Sequence, residues 1–250
     1  MSNYGAVIEA RMGSSRLPGK VLLKVKNVPL ILLLVDRLKQ VKKLKKIVVA
    51  TSVSKNNDQL CNLLRKNKIS FYRGSEDNVL QRVVRAAKKN KIKNIVQITG
   101  DCPLIDPEIV SQVISTFDNN KFDLVSNSTI RTYPDGMDVC VFSTKNLEKT
   151  LKLTKNKYDL EHVTLFMKRK KKLFNQCNLM APQFLNLPNL GLTLDEPKDY
   201  QMIKKVFNFF WKKRKTFSCL DIVKFLKFNP KIISINKDVK RKNIPLKNIL

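Results

Sequence analysis

Residues Glu9–Lys20 read EARMGSSRLPGK, and they leave an apolar run, Tyr4–Ala10, that has the length and composition of a buried strand. A surface loop has no ordinary reason to hold Arg11, Arg16 and Lys20 together beside Gly13, Ser14 and Ser15, with Glu9 the sole acid. An anion-binding loop does. Gly13 lets backbone N–H groups approach phosphate oxygens, Ser14 and Ser15 add hydroxyl donors, and the two arginines and the lysine add charge. The spacing matches neither a Walker loop nor a GxGxxG dinucleotide fingerprint.

Outward from this loop, short apolar runs alternate with helical patterns. The strands are expected at Tyr4–Ala10, Lys46–Thr51, Ser70–Arg73, Asn94–Thr99 and Phe122–Val125. The helices fall near Pro29–Gln40, Asp58–Lys68, Asn78–Asn90 and Pro107–Phe117. Such alternation predicts an α/β fold: a mostly parallel sheet with helices on both faces and ligands at the carboxyl ends of the strands. After Ser126 the rhythm changes. A PDG turn leads into a strand with Met137, Val139 and Val141 on one face. Helices are expected at Thr144–Lys155 and Asp159–Lys170, and a strand near Leu173–Leu179. Later come an amphipathic helix from Pro197 to Trp211 and a last helix capped by Ser218 and Asp221, followed by a basic, irregular tail. The whole of 1–250 reads as one domain with a small insertion at about 127–179.

Composition narrows the function. The formal charge is +29, and 43% of the 250 residues are hydrophobic, enough for a substantial core. Most of the excess charge is lysine spread from Lys20 to Lys247, which reads as solvated helix surface rather than a nucleic-acid face. The aromatics sit at apolar-periodic positions, as in Phe207, Phe209 and Phe210, so the alternative of a basic nucleic-acid-binding protein gains no support from interleaved stacking residues. Five scattered cysteines without metal spacing, one histidine, no leader pattern and no membrane-length apolar run lead to the expectation of a reduced, cytoplasmic protein with no membrane partner.

A second constellation is QITGDCPLID, Gln97–Asp106, where an apolar strand ends in Asp101. A third is LTLDEP, Leu192–Pro197, where another short strand ends in Asp195. In a chain with 20 acids against 49 bases, two carboxylates at separate strand ends suggest a shared Mg²⁺ site, since Mg²⁺ takes hard oxygen ligands. Asp101 alone can also be read as an acid that merely forms a turn before Pro103.

The segments ARMGSSRLPGK, VATS, RGSEDNVLQR, ITGDCPLIDPE, YPDGMDV, EHVT and LTLDEPKDY occur in that order. Together they resemble the spore-coat polysaccharide biosynthesis F family of cytidylyltransferase-like proteins. The first and last are also similar to segments of 3-deoxy-manno-octulosonate and acylneuraminate cytidylyltransferases. The resemblance spans nearly the whole chain. It implies a Rossmann-like nucleotide-diphospho-sugar transferase fold and transfer of CMP from CTP to a sugar acid, with release of pyrophosphate, for surface polysaccharide synthesis. It implies Arg11, Ser14, Ser15, Arg16 and Lys20 at the triphosphate, with Arg16, Lys20 and Asp101 as the catalytic set. Asp101 and Asp195 would hold Mg²⁺, and Thr51, Arg73 and Gly74 would lie near nucleotide or sugar. Asp135, Asp138, Glu161 and His162 are the acceptor-site candidates, and pairing of two chains through the insertion is the expected assembly.

Three positions depart from what the resemblance leads one to expect: Thr99 where the octulosonate enzymes commonly have glutamine, Cys140 in place of a glutamate, and Gly191 in place of an arginine. The last two fall in the half that shapes the acceptor pocket. They keep open the alternatives of another nucleotide, a sugar phosphate, or an inactive relative.

Overall fold

The computed structural model describes residues 3–213 and 216–241. Residues 242–250 of the expected basic tail lie outside the described residues. The first strand, β1 (Tyr4–Glu9), is buried on both faces, as its unbroken apolar run requires of a central parallel strand. A small hairpin, β2 (Lys24–Val25) and β3 (Val28–Pro29), leads to α1 (Leu30–Leu38). Pro29 thus sits immediately before the helix rather than in its first turn. Then follow β4 (Leu44–Ser52), α2 (Asp58–Lys66), β5 (Ser70–Gly74), α3 (Val79–Lys89), β6 (Asn94–Thr99) and α4 (Pro107–Asp118). Asn78 caps α3 by accepting from the Gln81 N–H, and Ser75 supports the cap by accepting from the Asn78 N–H.

Beyond α4 the chain makes β7 (Leu124–Ser126), β8 (Cys140–Ser143), α5 (Thr144–Leu153), α6 (Lys157–Glu161), α7 (Leu165–Arg169) and β9 (Gln176–Asn178). The last elements are α8 (Pro197–Lys213), α9 (Cys219–Lys227) and α10 (Pro230–Ile233). Ser218 and Asp221 form a reciprocal capping box at α9.

The main sheet has the order β5-β4-β1-β6-β8-β7-β9. Only β8 runs against its neighbours, pairing antiparallel with both β6 and β7. Alternate residues on the strands feed two cores. Ala6, Ile8, Val96 and Ile98 pack beneath α1, α4, α8 and α9, while Val7, Val48, Ile95 and Phe142 pack against α3, α5 and α7. The expected α/β class with a mostly parallel, doubly covered sheet is what the chain forms. No helix among the described residues is long and apolar enough to cross a membrane.

Three local expectations needed revision. The short strand expected to end in Asp195 does not form: that segment contributes only an isolated bridge between Gly191 and Asp135, and Leu192–Asp195 follow it as an extended loop. The helix expected over Asp159–Lys170 is broken into α6 and α7 because His162 leaves helical backbone (φ −102°, ψ 71°) and the Leu165 N–H turns back to its carbonyl, 2.7 Å. The strand expected from Met137 begins only at Cys140. Over Met137–Val139 the ladder is replaced by the Asn127 side chain, which donates to the Met137 carbonyl (2.7 Å) and accepts from the Val139 N–H (2.8 Å).

Candidate functional site

The loop after β1 folds on itself before it meets anything else. The Ser14 and Gly19 N–H groups both bond to the Met12 carbonyl at 3.0 Å, and the Asn57 side chain accepts from the Met12 N–H at 2.8 Å. A side chain at Gly13 would meet nothing within 4 Å, so the backbone there faces open space. The loop forms one wall of a cleft of about 320 Å³ lined by Arg11, Gly13, Ser14, Ser15, Arg16 and Lys20, with Asp101 and Asp195 opposite.

Backbone stitching brings the two aspartates together. The Leu194 N–H donates to the Asp101 carbonyl at 2.8 Å, and the Thr193 hydroxyl donates to the same oxygen at 3.2 Å. The end of β6 and the 192–195 segment therefore run side by side. Gly136 permits this approach from the other flank. Its φ of +108° suits glycine alone, and a Cβ would lie 2.6–2.8 Å from the Leu192 and Thr193 backbone.

The side chains form one charge network. Lys20 Nζ lies 2.8 Å from Asp101 Oδ2 and 3.0 Å from Asp195 Oδ1. Arg16 reaches Asp195 at 3.0 Å and Glu196 at 3.4 Å. Burial alone would lower the Lys20 pKa, but the two carboxylates hold it above its ordinary value. Burial likewise works against ionised Asp101, and the Lys20 ammonium holds that carboxyl below its usual range.

Glu9 connects this cleft to a second pocket of about 180 Å³, since it lines both. Gln97 donates to its carboxylate at 2.6 Å, yet burial pushes the Glu9 pKa up to about 7. The second pocket contains Asp138, Glu161 and His162, together with Thr99, Cys140 and Lys168. Arg131 grips Asp138 with two bonds of 2.8 and 2.7 Å. Burial lowers the His162 pKa, and its ring packs edge-on against Tyr158 at 4.4 Å.

Other sequence candidates stand apart. Asp135 lies beyond the Gly136 turn, 3.1 Å from Arg131 and 4.0 Å from Arg241, with its pKa raised to about 6 chiefly by burial. Arg11 pairs at the cleft rim with Glu76 at 2.8 Å. Arg73 clamps the segment after β4, donating to the Ser52, Val53 and Ser54 carbonyls and pairing with Asp58 at 2.6 Å. Thr51 is fully buried with its hydroxyl unpartnered among the described residues, and Gly74 packs against Tyr72 and Arg82. Thr51, Arg73 and Gly74 line neither pocket.

The sequence reading gave no site role to Glu9 or Gln97, although each opens a quoted segment, nor to Asp199 or Arg241. Asp199 was in plain view within LTLDEPKDY. It is fully buried and accepts the Asp195 and Glu196 N–H groups at 3.0 and 2.9 Å, so it orients the turn that bears Asp195. Arg241 lies 42 residues further on, and no local signal links it to the site.

Comparison with known proteins identifies the family. Residues 6–228 match the Cytidylyltransferase family. An uncharacterised protein of Methanocaldococcus jannaschii is 35% identical over 242 residues, 95% of this chain and 96% of the relative. The spore coat polysaccharide biosynthesis protein SpsF of Bacillus subtilis is 34% identical over 214 residues, covering 83% of this chain and 87% of its own. A solved cytidylyltransferase from Leptospira borgpetersenii superposes with a TM-score of 0.88 at 31% identity, covering 97% of this chain and all of that one. With a family match over residues 6–228, the chain belongs to the cytidylyltransferase family.

Proposed function

We propose that this protein transfers CMP from CTP to a sugar acid with release of pyrophosphate. The observation that supports this best is the facing of the Arg16–Lys20 loop and the Asp101–Asp195 pair across a cleft that shares the Glu9 side chain with a second polar pocket. The cleft suits the triphosphate. The second pocket suits the acceptor.

In this reading, Gly13 presents bare backbone and Ser14 and Ser15 present hydroxyls to the phosphates, while Arg16 and Lys20 neutralise their charge. The acceptor hydroxyl approaches the α-phosphorus from the Glu9 side. Its oxygen forms the new P–O bond, the bond to pyrophosphate breaks, and the Glu9 carboxylate takes the hydroxyl proton. Gln97 fixes the Glu9 carboxylate through its 2.6 Å bond. Such a reaction needs alignment and charge compensation more than a protein nucleophile.

The donor set also fits a magnesium ion. Asp101 and Asp195 already converge on one cation, the Lys20 ammonium, and two carboxylates completed by phosphate oxygens and water are a common Mg²⁺ environment. Both aspartates would hold the ion, which when bound supplies charge neutralisation at the phosphates.

The test is pyrophosphate release from CTP with a panel of eight- and nine-carbon sugar acids, with and without Mg²⁺. CTP is expected to outperform UTP and GTP, and release is expected to need both Mg²⁺ and an acceptor. A preference for another nucleotide overturns the assignment.

A further inference from the structure

The second pocket contains a cation that no acid among the described residues pairs with. Lys168, on α7, is only 8% exposed. Its ammonium meets one polar partner, the Ser128 hydroxyl at 3.4 Å, and it makes no ion pair among the described residues. Lysine is almost never buried unless paired, because removing an ammonium from water without a counter-charge is costly. Its neighbour shows the ordinary arrangement: Arg169, one residue on, is paired with the buried Asp159 at 2.5 Å.

The acids that share the pocket are engaged elsewhere. Asp138 is gripped at both oxygens by Arg131. Glu9, which also lines the nucleotide cleft, accepts from Gln97. Glu161 is exposed at its rim. On the wall next to Ser128 stands Cys140, its sulfur 3.9 Å from the Ser128 hydroxyl. A carboxylate at that position would give Lys168 an internal partner, and this chain has a thiol instead.

We propose that Lys168 is the seat for an anionic group of the acceptor, a carboxylate or a phosphate, and so a determinant of acceptor specificity. The inference rests on the reading of this pocket as the acceptor site. The anion completes the ammonium's coordination, with Ser128 as a second donor, and the acceptor's attacking hydroxyl faces Glu9. Neutral sugars leave the buried cation uncompensated and are rejected, because discrimination is strongest where a site's own polar group would be left unpaired.

The experiment measures binding by calorimetry for the wild type, Lys168→Gln and Cys140→Asp. The probes are N-acetylneuraminate, its neutral methyl ester, glucose 1-phosphate and glucose. CTP is titrated separately. The wild type is expected to bind the acid or the phosphate at least about tenfold more tightly than the ester and glucose, the size of effect a charged hydrogen-bonded group supplies. The tighter of the two identifies the anion. Lys168→Gln removes that preference by a similar factor, and Cys140→Asp does the same by supplying a resident counter-charge. Retained CTP affinity shows that the fold and nucleotide cleft are intact in each variant. The proposal is overturned if the wild type binds none of the anions or does not distinguish acid from ester. It is equally overturned if Lys168→Gln keeps the wild-type preference. Any of those results alongside normal CTP binding leaves the nucleotide assignment standing, whereas absent CTP binding counts against that assignment alone.

Discussion

Arg241 donates two hydrogen bonds to Asp199, at 2.9 and 2.6 Å, with its guanidinium lying where a side chain at Gly191 would stand. The terminal nitrogen is 2.0 Å from the position a Cβ on Gly191 would take. The absent side chain therefore makes room for a cation delivered from the end of the chain. Asn236 bonds the same carboxylate at 2.8 Å, and the Lys240 carbonyl accepts from Arg16 at 3.3 Å. The segment following α10 straps down both the Asp195 turn and the phosphate-facing arginine.

Removing the strap's anchor leaves a fully buried carboxylate short of its cation. Arg241→Ala is expected to cost about 2–3 kcal/mol of stability. It should also raise the CTP requirement, because Asp199 positions the Asp195 backbone. Arg241→Lys keeps the charge but not the two-pronged contact, and should recover part of both losses. Gly191→Ala should be destabilising in the wild type and far less so in Arg241→Ala, since the clash is with the guanidinium itself. Equal costs in the two backgrounds, read by thermal denaturation, would refute the packing argument.

Glu9→Gln addresses the carboxyl shared by the two pockets. Burial pushes its pKa from 4.5 to about 7, so the folded state holds this proton more tightly than the unfolded chain. Between those values the unfolded state binds fewer protons, and stability falls as pH rises from about 4.5 to 7. Glutamine mimics the protonated acid and still accepts from Gln97. The variant should match the wild type near pH 4.5 and exceed it above pH 7, by about 3 kcal/mol at most. Parallel melting-temperature curves for the two proteins would contradict this. The same change should lower turnover by something like 10²-fold or more, as expected for loss of a general base.

How much of this was legible in the sequence varied with the range of the interaction. The sheet was readable because β1, β4 and β6 each centre on a short apolar run and helical periodicity separates the strands. Asp101 was readable as an acid just past the end of a strand, while Asp195, also in view in a chain poor in acids, stands on a loop rather than a strand. Two kinds of feature were not. Where a side chain replaces backbone pairing, as Asn127 does for Met137–Val139, periodicity predicts a strand that the ladder does not need. And where a residue serves the site across a long separation, as Arg241 does for Asp199, spacing holds no trace of it. Arg73 differs again: spacing marks a strand-end arginine, but not that its donors go to three carbonyls and Asp58.

Association of two chains can be tested at the edge of the sheet. The strand β9 ends the seven-stranded order, and Ile130, Met180 and Phe184 are about half exposed in the region that follows it. Asn178 ties Ile130 and Met180 to the strand, so this apolar group has a fixed shape. Exposed apolar groups beside an open strand edge are ordinarily covered. Light scattering at micromolar concentration is expected to give a dimer, and Ile130→Asp with Met180→Asp a folded monomer. A wild-type monomer would remove the idea.

Asp101 and Asp195 provide the most direct test of the chemistry. Their carboxylates share the Lys20 ammonium at 2.8 and 3.0 Å, and Arg16 sits 3.0 Å from the far oxygen of Asp195. Two acids and two bases are thus nearly balanced without ligand, and a triphosphate entering the cleft adds negative charge that the two bases alone do not offset. Replacing either aspartate by asparagine keeps size and shape and removes one negative charge. If the pair holds the metal that compensates the triphosphate, each substitution should lower turnover by something like 10²-fold or more, a few kcal/mol of transition-state stabilisation, and raise the Mg²⁺ concentration needed for half-maximal rate. Arg16→Ala should instead raise the CTP requirement and lower turnover together, with the Mg²⁺ requirement little changed. Asp101→Asn and Asp195→Asn both turning over an accepted sugar at the wild-type rate would show that the two carboxylates serve only to hold Lys20.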